Sequence, residues 1–108
     1  MALMSSGMNG QKLKCNGYLP IDVNKRKNMI KNLEKNSYIT TQIFMETPYR
    51  NGKLFSDLIN TLKPTTQLCI ARDITLNSEF IKTFTVKSWK LNKPELDKRP
   101  TIFLIQSI

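Results

Sequence analysis

Ile43-Phe44-Met45-Glu46-Thr47-Pro48-Tyr49-Arg50 is an apolar, strand-forming run that stops abruptly in polar and charged residues. Ala71-Arg72-Asp73-Ile74-Thr75, which begins 21 residues after Arg50, repeats the arrangement behind Gln67-Leu68-Cys69-Ile70. Two strands with polar carboxyl ends, separated by one helix, place a ligand site along a sheet edge. The expectation is that both tips lie side by side as one wall of a crevice.

Between the tips, Asn51 reads as the cap of a helix whose Leu54, Phe55, Leu58, Ile59 and Leu62 recur at helical spacing. That stripe is core packing, and Lys63-Pro64 ends the helix. Gln67 to Ala71 is almost continuously apolar, as in a strand in the middle of a sheet covered on both faces. Upstream, Lys12 to Tyr18 alternates weakly and suggests a strand with Leu13 and Cys15 on one face. Asp22 is placed to cap a helix over about Val23 to Lys35, and Tyr38 to Met45 reads as the next strand.

Downstream, Glu79 to Val86 is β-prone, and its short connection to the strand ending near Ala71 predicts an antiparallel hairpin. Ser88 to Leu91 fits a short helix with Trp89 as a packing anchor. Residues 93–100 form a polar loop, and Thr101 to Ile105 a last buried strand. The result is an α/β chain: a mixed β-sheet of about five strands flanked by helices.

The chain has 108 residues, enough for one domain. It has no histidine, which removes the commonest general base and any triad built on imidazole. With two separated cysteines, Cys15 and Cys69, a zinc site has almost no ligands, and no metal is expected. Both cysteines read as buried free thiols in strands. No apolar run approaches the ~20 residues that span a bilayer, so no membrane partner is expected and the expected compartment is the cytoplasm.

Seventeen Lys+Arg against eight Asp+Glu give a formal charge of +9. The densest part is Asn24 to Lys35, where Lys25, Arg26, Lys27 and Lys31 are candidate RNA contacts on a basic helix face. The competing reading is a solvated helix, because no aromatic residue interleaves with these lysines.

Each strand tip also has two readings. In one, Arg72 pairs with Asp73 or a nearby carboxylate and the tip is structural. In the other, backbone groups past the strand grip a polar ligand while Arg72 or Thr75 orients it. At the first tip, Pro48 would stiffen the turn into a helix whose early amides favour an anion.

Four blocks resemble the C-terminal domain of the tetrapyrrole methylase family: Ser5-Ser6-Gly7-Met8, Asn16-Gly17-Tyr18-Leu19-Pro20, Met45 to Arg50, and Ala71 to Thr75. They occur in the family's order and cover about Leu3 to Ile105. The chain is most similar to the branch of small-subunit ribosomal RNA (cytidine-2'-O)-methyltransferases. It departs from that branch at Tyr49 (usually histidine), Asp73 (glutamate) and Leu76 (lysine).

The resemblance implies a two-domain, S-adenosylmethionine-dependent methyltransferase, usually a homodimer, with the cofactor between domains. Residues 1–10 would be the end of the interdomain connection and 11–108 the C-terminal domain. The implied cofactor-binding residues are Ala71, Arg72, Asp73, Ile74 and Thr75, and the implied substrate-side residues are Glu46, Pro48, Tyr49 and Arg50. With no histidine in the chain, Glu46 and Asp73 are the candidates for the catalytic base. This chain alone would be inactive. The alternatives are a small-molecule tetrapyrrole methyltransferase and a non-enzymatic basic domain that binds nucleic acid.

Overall fold

Residues 12–74, 76–77, 79–96 and 98–107 are described by a computed structural model. Residues 1–11, with the first resembled block and the interdomain connection, lie outside the described residues, as does Thr75. The described chain runs β1 (Leu13–Tyr18), α1 (Val23–Asn36), β2 (Thr41–Met45), a 3-10 turn (Pro48–Arg50), α2 (Asn51–Thr61), β3 (Gln67–Arg72), β4 (Phe80–Thr85), α3 (Val86–Trp89) and β5 (Thr101–Gln106).

The five strands form one mixed sheet in the order β1-β2-β5-β3-β4. Only β1 and β2 pair in parallel, and the β3–β4 hairpin is antiparallel as the short connection requires. β5 enters between β2 and β3, antiparallel to each, with Phe103 opposite both Phe44 and Ile70. β2 and β3 therefore point the same way, but they are not neighbours. The two polar tips share a sheet edge with Pro100 and Thr101 between them, so the wall they form is joined through the start of β5.

Phe44, Phe103, Ile105, Leu68 and Ile70 meet Ile30 and Leu33 of α1, Leu54, Phe55 and Leu58 of α2, and Val86 and Trp89 of α3 in one core. Phe44 and Phe103 stack at 6.0 Å. Trp89 is wholly buried, donates its indole N–H to the Leu68 carbonyl at 2.7 Å, and meets Phe55 and Phe84 edge-on. Its polar atom is thus satisfied inside the core, so the ring can be buried at full benefit. On the other sheet face Cys69 and Leu104 are buried among Ile43, Ile81 and Ile102.

The local signals explain the elements. Asp22 caps α1 by accepting the Lys25 amide at 3.0 Å. Asn51 does not cap α2: it is the first helical residue, and its side-chain amide instead donates to the Arg99 carbonyl at 2.6 Å. It thereby ties the start of α2 to the loop entering β5. Tyr38 and Ile39 fall in the turn before β2 and are exposed, so the β-prone run is three residues longer than the strand. Cys15 is exposed, not buried, because β1 is an edge strand with its first three residues in solvent.

Candidate functional site: the cavity at the β2–β5–β3 edge

Gly17 adopts φ 68°, a backbone region open to glycine, and the β1–β2 register shifts between Cys15 and Tyr18. The irregularity brings Tyr18 opposite Met45 at the sheet edge. There a cavity of about 390 Å³ is lined by Tyr18, Met45, Glu46, Pro48, Ala71 and Ile74, closed by Pro100, Thr101 and Ile102. Such a volume lies within the range of small-molecule pockets, and its wall is mainly apolar. Both tips contribute to one cavity, joined through the first residues of β5.

The structure sorts the expected site residues. Among the cofactor candidates, Ala71 and Ile74 line the cavity. Arg72 does not: its guanidinium donates to the Glu95 carbonyl at 2.5 Å and lies 4.8 Å over the Phe80 ring. Asp73 is buried at φ 53° and accepts a 2.7 Å ion-pair hydrogen bond from Arg99, with the Arg72 Nε 3.6 Å away. Both side chains are thus engaged within the protein, Asp73 by the two arginines and Arg72 by the Glu95 carbonyl. The hydrogen bond from Arg99 to Asp73, and then the carboxylate's charge, raise the Arg99 pKa above its ordinary value.

Among the substrate-side candidates, Glu46 and Pro48 line the cavity. Tyr49 is 80% exposed, and neither it nor Arg50 borders the cavity. Glu46 is buried, with Oε2 taking a 2.6 Å bond from Arg26 and Oε1 the Thr47 amide at 2.9 Å. Its carboxylate holds the turn out of β2, and both oxygens are engaged.

Arg26 does not lie on the basic helix face that its run of lysines and arginines predicts. It is 2% exposed and bridges Glu46 and Asp57, the latter at 2.8 Å, and also donates to the Pro20 carbonyl. The buried side of α1 is Arg26, Ile30, Leu33 and Glu34, a spacing of four, three and one residues. Arg26 thus falls in register with the apolar stripe, a signal present in the sequence. Lys25, Lys27 and Lys31 are exposed, as a nucleic-acid contact requires.

Sequence reasoning about the two tips missed Pro100, Thr101 and Ile102, which enter because β5 inserts between the strands. Tyr18 was missed as well, although the Asn16-to-Pro20 block that holds it carries part of the family resemblance. No helix among the described residues is long and apolar enough to cross a membrane.

No family model matches the chain. Over 107 residues it is 32% identical to "Ribosomal RNA small subunit methyltransferase I" of Buchnera aphidicola subsp. Schizaphis graminum (strain Sg). That match covers 96% of this chain and 37% of the relative's length. The fold is similar to that of the methyltransferase CobJ, with TM-score 0.58 and 15% identity, over 98% of this chain and 46% of that one. It is also similar to uroporphyrin-III C-methyl transferase from Thermus thermophilus, solved with S-adenyl homocysteine. There the TM-score is 0.52 and the identity 9%, over 92% of this chain and 44% of that one. The solved structures speak for the fold, the curated relative for descent, and together they agree: this chain belongs to the tetrapyrrole methylase family.

Proposed function

We propose that the chain is the C-terminal domain of an S-adenosylmethionine-dependent methyltransferase that 2'-O-methylates a cytidine of small-subunit ribosomal RNA. The supporting observation is the 32% identity to a ribosomal RNA methyltransferase across 96% of this chain. The second domain and the homodimer belong to this proposal, since the chain spans about 37% of that relative.

In this reading the edge cavity takes the adenosine side of the cofactor. Its size and apolar lining fit a purine, with Met45, Ala71, Ile74 and Ile102 as walls and strand-end backbone groups as polar contacts. When bound, the cofactor supplies a methyl group on a sulfonium. This chain's contribution is to orient and to exclude water, and alignment of reacting groups is worth on the order of 7–11 kcal/mol in favourable cases.

The 2'-hydroxyl proton must go to an acceptor placed against the ribose. Glu46 and Asp73 are each engaged by an arginine, so the acceptor is assigned to the other domain. Thr75 keeps its place as a cofactor-side candidate through the family resemblance alone.

The test is transfer of labelled methyl groups from S-adenosylmethionine by the full two-domain protein. Label in the RNA of small ribosomal subunits supports the reading, whereas transfer to a tetrapyrrole and not to RNA replaces it with the small-molecule alternative. No transfer to either leaves the basic nucleic-acid-binding domain as the better reading. The 108-residue chain alone should bind S-adenosylmethionine weakly or not at all in isothermal calorimetry, and micromolar affinity would contradict its being half a site.

A further inference from the structure

A second groove of about 410 Å³ lies at the sheet edge opposite the cavity, where α1 and β5 end and β3 begins. Lys31, Lys35, Tyr38, Lys63, Thr65 and Ser107 line it. Strands of six residues separate the two edges by on the order of 20 Å. This groove is therefore a separate site and not an extension of the first.

Its electrostatics are unbalanced in one direction. Lys31 and Lys35 sit four apart on one helix face, so they repel, and Lys63 joins them from the loop after α2. All three are exposed, and no ion pair among the described residues involves them. The acidic neighbour, Glu34, is buried and turned inward. Its Oε2 accepts the Lys63 amide at 2.7 Å and the Thr66 hydroxyl at 2.6 Å. It braces the groove's floor and leaves the lysine charges for a ligand.

Tyr38 supplies what the helix sequence lacks. Its side chain is 69% exposed beside the three lysines, an aromatic face in water with cations around it. An aromatic platform flanked by lysines suits a base with its neighbouring phosphates. An acidic peptide would use the lysines and leave the ring without a role.

We propose that the groove of Lys31, Lys35, Tyr38 and Lys63 binds single-stranded RNA, one base stacking on Tyr38 and the flanking phosphates meeting the lysines. The choice of RNA rests on the ribosomal RNA reading above, while the groove itself stands on its own geometry. It would anchor the strand at a distance from the methylated nucleotide, binding without chemistry.

The experiment is fluorescence anisotropy of labelled oligouridine with the 108-residue chain across a salt series. Replacing Lys31, Lys35 and Lys63 together by alanine should lower the log–log salt slope by roughly 2, about 0.7 per phosphate contact. Tyr38→Ala should weaken binding ~5- to 150-fold, the range of one lost base stack, with the slope unchanged. Tyr38→Phe should bind like the parent chain. All four side chains are exposed, and circular dichroism melting checks that the variants fold.

An unchanged slope in the triple variant, or parent-like binding by Tyr38→Ala, would overturn the proposal. So would polyglutamate competing as well as oligouridine, since the ring would then add nothing. Methyl transfer by the two-domain protein is read separately. RNA methylation with no oligouridine binding here sinks this groove alone, and groove binding without RNA methylation sinks the enzymatic reading alone.

Discussion

After β2, Glu46 and its partner Arg26 are both nearly sealed from solvent, at 6% and 2% exposure; after β3, Asp73 is as buried as Glu46, but the Arg99 side chain keeps 37% of its surface in water. Both tips place a carboxylate one residue past the strand and answer it with arginine. The β2 tip is bound into the interior by a network that reaches α1 and, through Asp57, α2. The β3 tip is held by a side chain from the loop before β5 and by a left-handed backbone at Asp73. One tip is part of the core. The other is a surface turn with a buried acid.

The difference predicts a graded response. Arg26→Met leaves Glu46 buried without its cation, and breaking a buried pair from one side costs about 3–5 kcal/mol. Urea unfolding should show this as a large fall in midpoint. The double variant Arg26→Met with Glu46→Gln should recover part of the loss, because the penalty lies in the orphaned charge more than in the missing attraction. A single substitution that costs under about 1 kcal/mol would mean the network is no stronger than a surface pair.

How much of this was open to reading from the sequence divides along the same line. Local, short-range signals were legible. Asp22 caps its helix, the Leu54-to-Leu62 stripe packs inward, Trp89 anchors the core, and the short link between β3 and β4 makes a hairpin. Their physics lies within a few residues of chain. The order of strands was not legible, because nothing near Thr101 marks it to enter between β2 and β3.

Of the site, Glu46, Pro48, Ala71 and Ile74 were in reach as strand tips. Pro100, Thr101 and Ile102 depended on that strand insertion. Arg26 departs from its neighbours because a run of lysines and arginines reads as one solvated face, whereas its register with Ile30 and Leu33 carries it inward. Tyr38 likewise has the β-propensity of a strand residue, and only the turn after α1 sets it beside Lys31 and Lys35.

The next effect in size belongs to the β3 tip. Asp73→Ala removes the partner of Arg99 and puts a residue without local hydrogen bonding at φ 53°. A left-handed non-glycine residue costs about 1–2 kcal/mol, less for Asp and Asn, which bond locally there. Asp73→Asn should therefore melt closer to the parent chain than Asp73→Ala. The reverse order would show that burying a neutral amide against Arg99 costs more than the left-handed backbone preference returns.

The smallest effect is expected from Arg99→Ala. Its guanidinium leans partly into solvent, and water and salt screen what it contributes to Asp73. The Arg72 Nε, 3.6 Å from the same carboxylate oxygen, stays in place to answer the charge. The loss in thermal midpoint should be below that of Asp73→Ala, and should shrink further as salt is raised. Arg26→Met should keep its deficit at high salt, since a buried pair is shielded from mobile ions. Equal salt sensitivity in the two variants would abolish the distinction between a tip built into the core and a tip held at the surface.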